Sequence, residues 1–219
     1  MKLKLAGFML VSLWAVNAHA QNGDAARGQQ LSMQGDGSGA PCLACHGANG
    51  EGNAAGAFPR LAGLDDGYLY QTMQAYHEGK RTNPVMFMNI DNFNQQDMRD
   101  LAAYFASLTA PEPAKPSASA EQLALGEKLA LQGDWDAYIP PCSTCHGPNN
   151  QGVDANFPGI AGQHASYIKQ QLEMWQQGKR TSDPVQLMEA VAKRLSPEQI
   201  EAVAAYLASQ PATQSAAQQ

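Results

Sequence analysis

The chain has 219 residues, 44% of them hydrophobic and 7% aromatic, with 14 basic and 20 acidic side chains and a formal charge of −6. Setting aside Lys2 and Lys4 leaves 12 basic against 20 acidic, which argues against a polyanion such as nucleic acid as partner. The imbalance is evenly spread, 5 against 9 in residues 21–109 and 6 against 9 in residues 122–219, so charge does not say which half meets another protein.

In chain order, Met1-Lys2-Leu3-Lys4, the apolar run to Val16 and Ala18-His19-Ala20 read as an export signal over residues 1–20. Cleavage is expected after Ala20, leaving Gln21 as the mature start. No later stretch approaches the ~20 apolar residues of a membrane span, so peripheral membrane association is the most that is expected. A first helix is predicted from Asp24 to Met33, followed by Cys42-Leu43-Ala44-Cys45-His46-Gly47. A middle helix after Asp66 carries Leu69, Met73 and Tyr76 at helical spacing. A last helix, opened by Asn94 and Asp97, carries Met98, Leu101, Phe105 and Leu108.

Residues 110–121, rich in Pro and Ala, read as a linker. The same order then returns, with a helix from Glu121 to Leu131, Cys142-Ser143-Thr144-Cys145-His146-Gly147, and a middle helix from Ser166 to Gln177. Ser196-Pro197-Glu198-Gln199 supplies an N-cap, a Pro at the first helical position and a Gln at the third. Ile200, Val203 and Leu207 line one face of the helix that follows. Residues 211–219 are expected to be disordered. No strand pattern is convincing, so the fold class is all-α with two units, residues 21–109 and 122–210.

The halves are one unit written twice. His46 and His146 stand 100 positions apart. Phe58-Pro59-Arg60-Leu61-Ala62-Gly63 is answered by Phe157-Pro158-Gly159-Ile160-Ala161-Gly162. Gly79-Lys80-Arg81-Thr82 is answered by Gly178-Lys179-Arg180-Thr181, and Tyr104 by Tyr206.

Both cysteine pairs have the form C-x-x-C-H, the attachment signature of c-type haem. Two thiols at that spacing reach the two vinyl groups of one porphyrin, and the adjoining imidazole can take the fifth site of the iron. All four cysteines are used in this way, so two covalently attached c-type haems are expected and no disulfide. Structural zinc would want four ligands converging on one ion, which leaves no role for a His after each pair. Each unit of about 90 residues has few aromatics and a thin core. A porphyrin would fill it.

Pro59 and Pro158 follow the haem histidines by similar intervals and offer rigid carbonyls for the second imidazole nitrogen. For a sixth ligand the second half offers Met188, with Met174 assigned to core. The first half offers Met86 and Met88. Counting from Pro84 favours Met88, counting back from the last helix favours Met86, and Met86 is chosen, with Met88 then core or at the haem edge. Met33, Met73 and Met98 are assigned to core, and His77 and His164, which break the repeat, to the surface. Lys80, Arg81, Lys179 and Arg180 either neutralise haem propionates or form solvated helix ends.

Together these residues resemble the di-haem cytochromes c4, each half a class I cytochrome c domain. The resemblance spans the mature chain and rests on the paired C-x-x-C-H-G runs, the Phe-Pro-x-(Leu/Ile)-Ala-Gly segments and Gly162-Gln163-His164-Ala165-Ser166-Tyr167. It implies tandem helical domains and first-to-last helix contact at Gly28 with Tyr104 or Phe105 and at Gly126 with Tyr206. It also implies a periplasmic electron carrier, not an enzyme, fed by a quinol-oxidising complex or a dehydrogenase and donating toward a terminal oxidase. The alternatives are a di-haem oxidoreductase, of thiosulfate dehydrogenase or peroxidase type, and a cytochrome subunit of a larger dehydrogenase.

Overall fold

The computed structural model describes residues 23–37, 39–113, 115, 117–183 and 185–212; the predicted export signal and the residues from 213 onward lie outside them. Two helical units follow one another with matching order. The first holds α1 (Ala25–Gln34), α2 (Cys42–His46), α3 (Asp66–His77), α4 (Pro84–Ile90) and α5 (Gln95–Ser107). The second holds α6 (Ala120–Leu131), α7 (Ser143–His146), α8 (Ala165–Gln176), α9 (Leu187–Ala192) and α10 (Pro197–Ala208). Among the described residues the extended backbone is limited to isolated bridges.

The helix starts follow local chemistry. Asp24 accepts from the amides of Ala26 and Arg27, and Ser119 from that of Gln122. Asn94 with Asp97, and Ser196 with Gln199, form reciprocal capping boxes in which each partner satisfies an otherwise orphaned amide. Two helices were not foreseen. Residues 84–90 and 187–192, for which the sequence predicted no element, form α4 and α9. For α4 the signal was present, because Asn83 caps the amides of Val85 and Met86 and Pro84 occupies the first turn.

In each unit the first helix crosses the last at a glycine. A Cβ on Gly28 would fall on the Asp100 carbonyl and the Tyr104 side chain; one on Gly126 would fall on the Ala202 carbonyl and Tyr206. The backbones therefore meet more closely than any other residue allows. Behind the crossings lie two cores, Leu101, Phe105 and Met98 with Leu69 and Tyr76 in the first half, and Leu129, Ile200, Val203 and Leu207 with Leu172 and Trp175 in the second. Met98 is core as expected, but Met33 is 51% exposed and Met88 59% exposed, because α1 and α4 turn those positions to solvent.

Loops without regular structure are held by the same backbone bonds in both halves. Gly52 N–H donates to the His46 carbonyl, and Gly152 N–H to that of His146, each at 2.7 Å. The amides of Leu61 and Ala62 donate to Gly50, and those of Ile160 and Ala161 to Asn150. The repeat read in the sequence is a repeat of hydrogen bonds.

The two crossings yield a test. Gly-to-Ala substitution inside a helix ordinarily gains about 1 kcal/mol of propensity. At Gly126 the clash with a backbone carbonyl outweighs that gain, so Gly126→Ala is expected to cost about 3 kcal/mol, the upper range for overpacking. Chemical denaturation of the haem-loaded protein, followed by circular dichroism, measures it.

Candidate haem sites

α2 and α7 are short because each has only to carry a C-x-x-C-H run past a wall. Gly47 (φ 80°) and Gly147 (φ 76°) then turn the chain away with backbone angles that L side chains rarely adopt. His46 and His146 end buried. His46 Nδ1 lies 3.0 Å from the Pro59 carbonyl and His146 Nδ1 2.7 Å from the Pro158 carbonyl. A carbonyl oxygen can only accept, so each Nδ1 carries the proton and each Nε2 keeps its lone pair. Burial pushes both imidazoles toward the neutral form, against the pull of those carbonyls.

One cavity of about 1190 Å³ spans both halves. That exceeds the ~300–1,000 Å³ usual for a single small-molecule pocket. Cys42, Cys45, His46, Pro59 and Met86 line it from one half, and Cys142, Cys145, His146, Pro158 and Met188 from the other. The four cysteines are not joined to one another. Burial raises the Cys42 and Cys142 thiols to about 11. Among the described residues no three Cys, His, Asp or Glu side chains gather as a zinc site requires. The donor set present is, in each half, a thiol pair, a neutral imidazole with its outer nitrogen free, and a thioether on a largely apolar wall. That set fits a covalently attached haem.

The two candidate methionines of the first half are separated by the structure. Met86 lines the cavity and packs against the core. Met88, two residues on along α4, is exposed and does not line the cavity.

At the boundary between the halves lie two of the four basic residues that the sequence left open between haem propionates and solvated helix ends. Arg81 and Arg180 are buried, not solvated, and pair as an antiparallel bridge. Thr82 N–H donates to Lys179 O at 3.1 Å and Thr181 N–H to Lys80 O at 2.7 Å. Arg81 donates to Thr72 of its own half at 3.1 Å and to Tyr167 and Gln171 of the other, each at 2.7 Å. Arg180 donates to Gln171 at 3.0 Å and stacks on Trp175 at 3.7 Å.

Burial opposes charge on Arg81, yet Tyr167, Tyr76 and Tyr68 hold its pKa above the ordinary value. Burial and the neighbouring Arg81 lower that of Arg180. Tyr68, although desolvated, is drawn down to about 8 by the two guanidiniums. Lys80 stays exposed, paired with Glu78. The recurrence of Tyr68 as Tyr167 beside the recurrent Lys-Arg pair was the available signal.

His164, expected at the surface, is half-buried, with Nε2 2.9 Å from the Glu51 carbonyl of the first half. His77 is half exposed, 3.8 Å from Asp91.

Comparison with known proteins agrees with this arrangement. The cytochrome c family model matches twice, at residues 25–109 and 124–211. A thiosulfate dehydrogenase electron acceptor of Thiomonas intermedia is 43% identical over 172 residues, 78% of this chain and 79% of the relative. The crystal structure of reduced cytochrome c4 from Pseudomonas stutzeri is 35% identical and superposes with a TM-score of 0.76, covering 86% of this chain and all of that one. A thiosulfate dehydrogenase from Marichromatium purpuratum is 38% identical with a TM-score of 0.78; the match covers 85% of this chain, which spans 40% of the length of that one.

If each thiol pair carries one porphyrin, replacing both Cys142 and Cys145 by Ala removes one covalent haem and leaves the other. Intact-mass spectrometry of the exported protein is expected to fall from two haem additions to one.

Proposed function

Because this chain belongs to the cytochrome c family and is a di-haem cytochrome c4-like electron carrier, we propose that it works outside the cytoplasm, in the periplasm. There it takes electrons from a thiosulfate dehydrogenase and passes them toward a terminal oxidase. The name of the Thiomonas intermedia relative supports the donor. Export is supported by the signal-like residues 1–20 and by the thioether chemistry of the four cysteines. Among the described residues no helix is long and apolar enough to cross a membrane.

The observation that carries the reading is the single cavity with a complete donor set in each half. His46 and Met86 are assigned to the first iron, His146 and Met188 to the second. Each haem, once attached, supplies a reversible one-electron couple. The chain's own residues hold the donors in place. The proline carbonyls fix each imidazole's tautomer and orientation, and α4 and α9 present the thioethers from short helices anchored at Asn83 and Asp183. With His46 and Met86, and His146 and Met188, holding the two irons, no position would be left for a substrate, which supports a carrier over an oxidoreductase.

Arg81 and Arg180 reach no carboxylate among the described residues, while Arg180, Tyr68 and Tyr167 line the cavity. This cluster is assigned to the haem propionates, with Arg81 held by Tyr167 of the opposite half. Burying two cations side by side is costly unless anions accompany them.

Two outcomes test the ligands. Met86→Ala is expected to open one iron, so that the reduced protein binds carbon monoxide at one haem, whereas Met88→Ala leaves it unreactive; visible spectra before and after exposure to the gas distinguish them. Met188→His is expected to lower the potential of one haem only, read by spectroelectrochemical titration, because imidazole favours the oxidised iron more than thioether does.

A further inference from the structure

The strap between the halves is not symmetric. Where the first half has Pro59-Arg60, the second has Pro158-Gly159, and where the second half has Gln163, the first has Leu64. Arg60 is 1% exposed and reaches into the second half, with Nε and Nη2 3.2 Å from the carbonyls of Gly162 and Ala161 and a further bond to Ala62 of its own half. The segment it holds places Gln163, itself buried, against the backbone of Arg60. Gln163 Oε1 accepts from Arg60 N–H at 2.9 Å, and Gln163 Nε2 donates to Arg60 O at 2.9 Å.

The Arg60 N–H and the Pro59 carbonyl are the two ends of one peptide unit. The carbonyl end accepts from His46 Nδ1, and the amide end donates to Gln163 across the domain boundary. Hydrogen bonds in series polarise one another, by roughly 10–30% per bond. An amide whose N–H is engaged has a more basic carbonyl, and a more basic carbonyl draws the Nδ1 proton and enriches the imidazole. At the corresponding place Leu64 has no amide to offer Gly159. The two imidazole bonds measure 3.0 Å at His46 and 2.7 Å at His146.

We propose that Gln163, a residue of the second half, is a positioning residue for the first haem: it clamps the Pro59–Arg60 peptide and so lowers the first haem's potential through His46. This rests on the assignment of His46 as that iron's ligand. It makes the domain boundary a tuning element for one iron only, and it gives the halves unequal potentials by a route that their near-identical ligand sets do not provide.

The experiment uses the full two-haem protein, with Met188→His variants marking which transition belongs to the second haem. Gln163→Leu, which copies Leu64, is expected to shift the reduction equilibrium of the first haem about threefold toward the reduced form, ~28 mV upward at 59 mV per tenfold for one electron. The second haem stays in place. In the reduced protein the Nδ1 proton resonance of His46 moves upfield, while that of His146 does not.

Ser166→Ala removes a different bond across the same boundary, Ser166 Oγ to Ala54 O, and is expected to move neither potential. An unmoved first haem, an equal shift of both haems, or an equal effect of Ser166→Ala would overturn the proposal. Should Gln163→Leu fail to accumulate with both haems, Gln163→Asn, one methylene shorter, is read in the same way. If His46→Ala left both haems with the wild-type low-spin spectrum, the ligand assignment itself would fall, an outcome separate from any result at Gln163.

Discussion

A hydrogen bond from a buried imidazole to a proline carbonyl stands at the centre of each half, and the irregular parts of the chain are arranged to maintain it. The His46 and Pro59 backbones are brought together by Gly52 bonding back to His46 and by Leu61 and Ala62 bonding to Gly50; the second half repeats this at Gly152, Ile160 and Ala161. These loops have no helix or sheet ladder, so their polar groups are satisfied one by one. The result is an imidazole whose tautomer is set by the chain's own backbone, facing a wall that holds the thiols. A helical unit this small has little core of its own. The porphyrin completes that core and is also the working part.

Between the halves the protein accepts an expensive arrangement. Arg60, Arg81 and Arg180 are all buried, and none is paired with a carboxylate among the described residues. Desolvation alone draws Arg60 down to about 10. Carbonyls of Ala161 and Gly162, the hydroxyl of Tyr167, the amide of Gln171 and the face of Trp175 take the place of counter-ions. Such groups orient a cation well but neutralise it poorly. On the proposed reading the haem propionates supply the missing charge, so the boundary is stable only when both haems are in place. Folding of the pair and loading of the pair would then be one event.

The repeat is close enough that its departures are informative. Gly50, which has Phe105 beside it, becomes Asn150 where the second half has Leu207, trading volume between loop and helix. Arg60 becomes Gly159, Leu64 becomes Gln163 and Thr72 becomes Gln171, all at or near the boundary. The ligands are conserved between the halves while the contacts linking them are not. On the proposed ligand assignment, two irons with the same donors are thereby given different surroundings.

How much of this could be read beforehand follows from the range of the interactions involved. The cysteine pairs and their histidines act over a few residues, and the capping at Asn94 and Ser196 over a single turn, so both were legible in the chain. Gly28 and Gly126 were legible through the resemblance. The Pro59 and Pro158 carbonyls were named from their intervals alone, and the structure places both at hydrogen-bond distance from the imidazoles.

The choice between Met86 and Met88 turned on which face of a short helix met the cavity. Two counting rules disagreed because the stretch from Pro184 to Ser196 is two residues longer than that from Pro84 to Asn94. Arg81 and Arg180 recur in both halves, but nothing local in the chain marks them, His164 or Gln163 as withdrawn from water. A charged side chain at a helix end looks the same in sequence whether it meets water or the other half of the molecule. Sequence by itself determined the chemistry bonded to the chain and the helices that carry it. Only the packing of one half on the other decided which polar groups leave water, because desolvation belongs to the assembled surface and to no single residue.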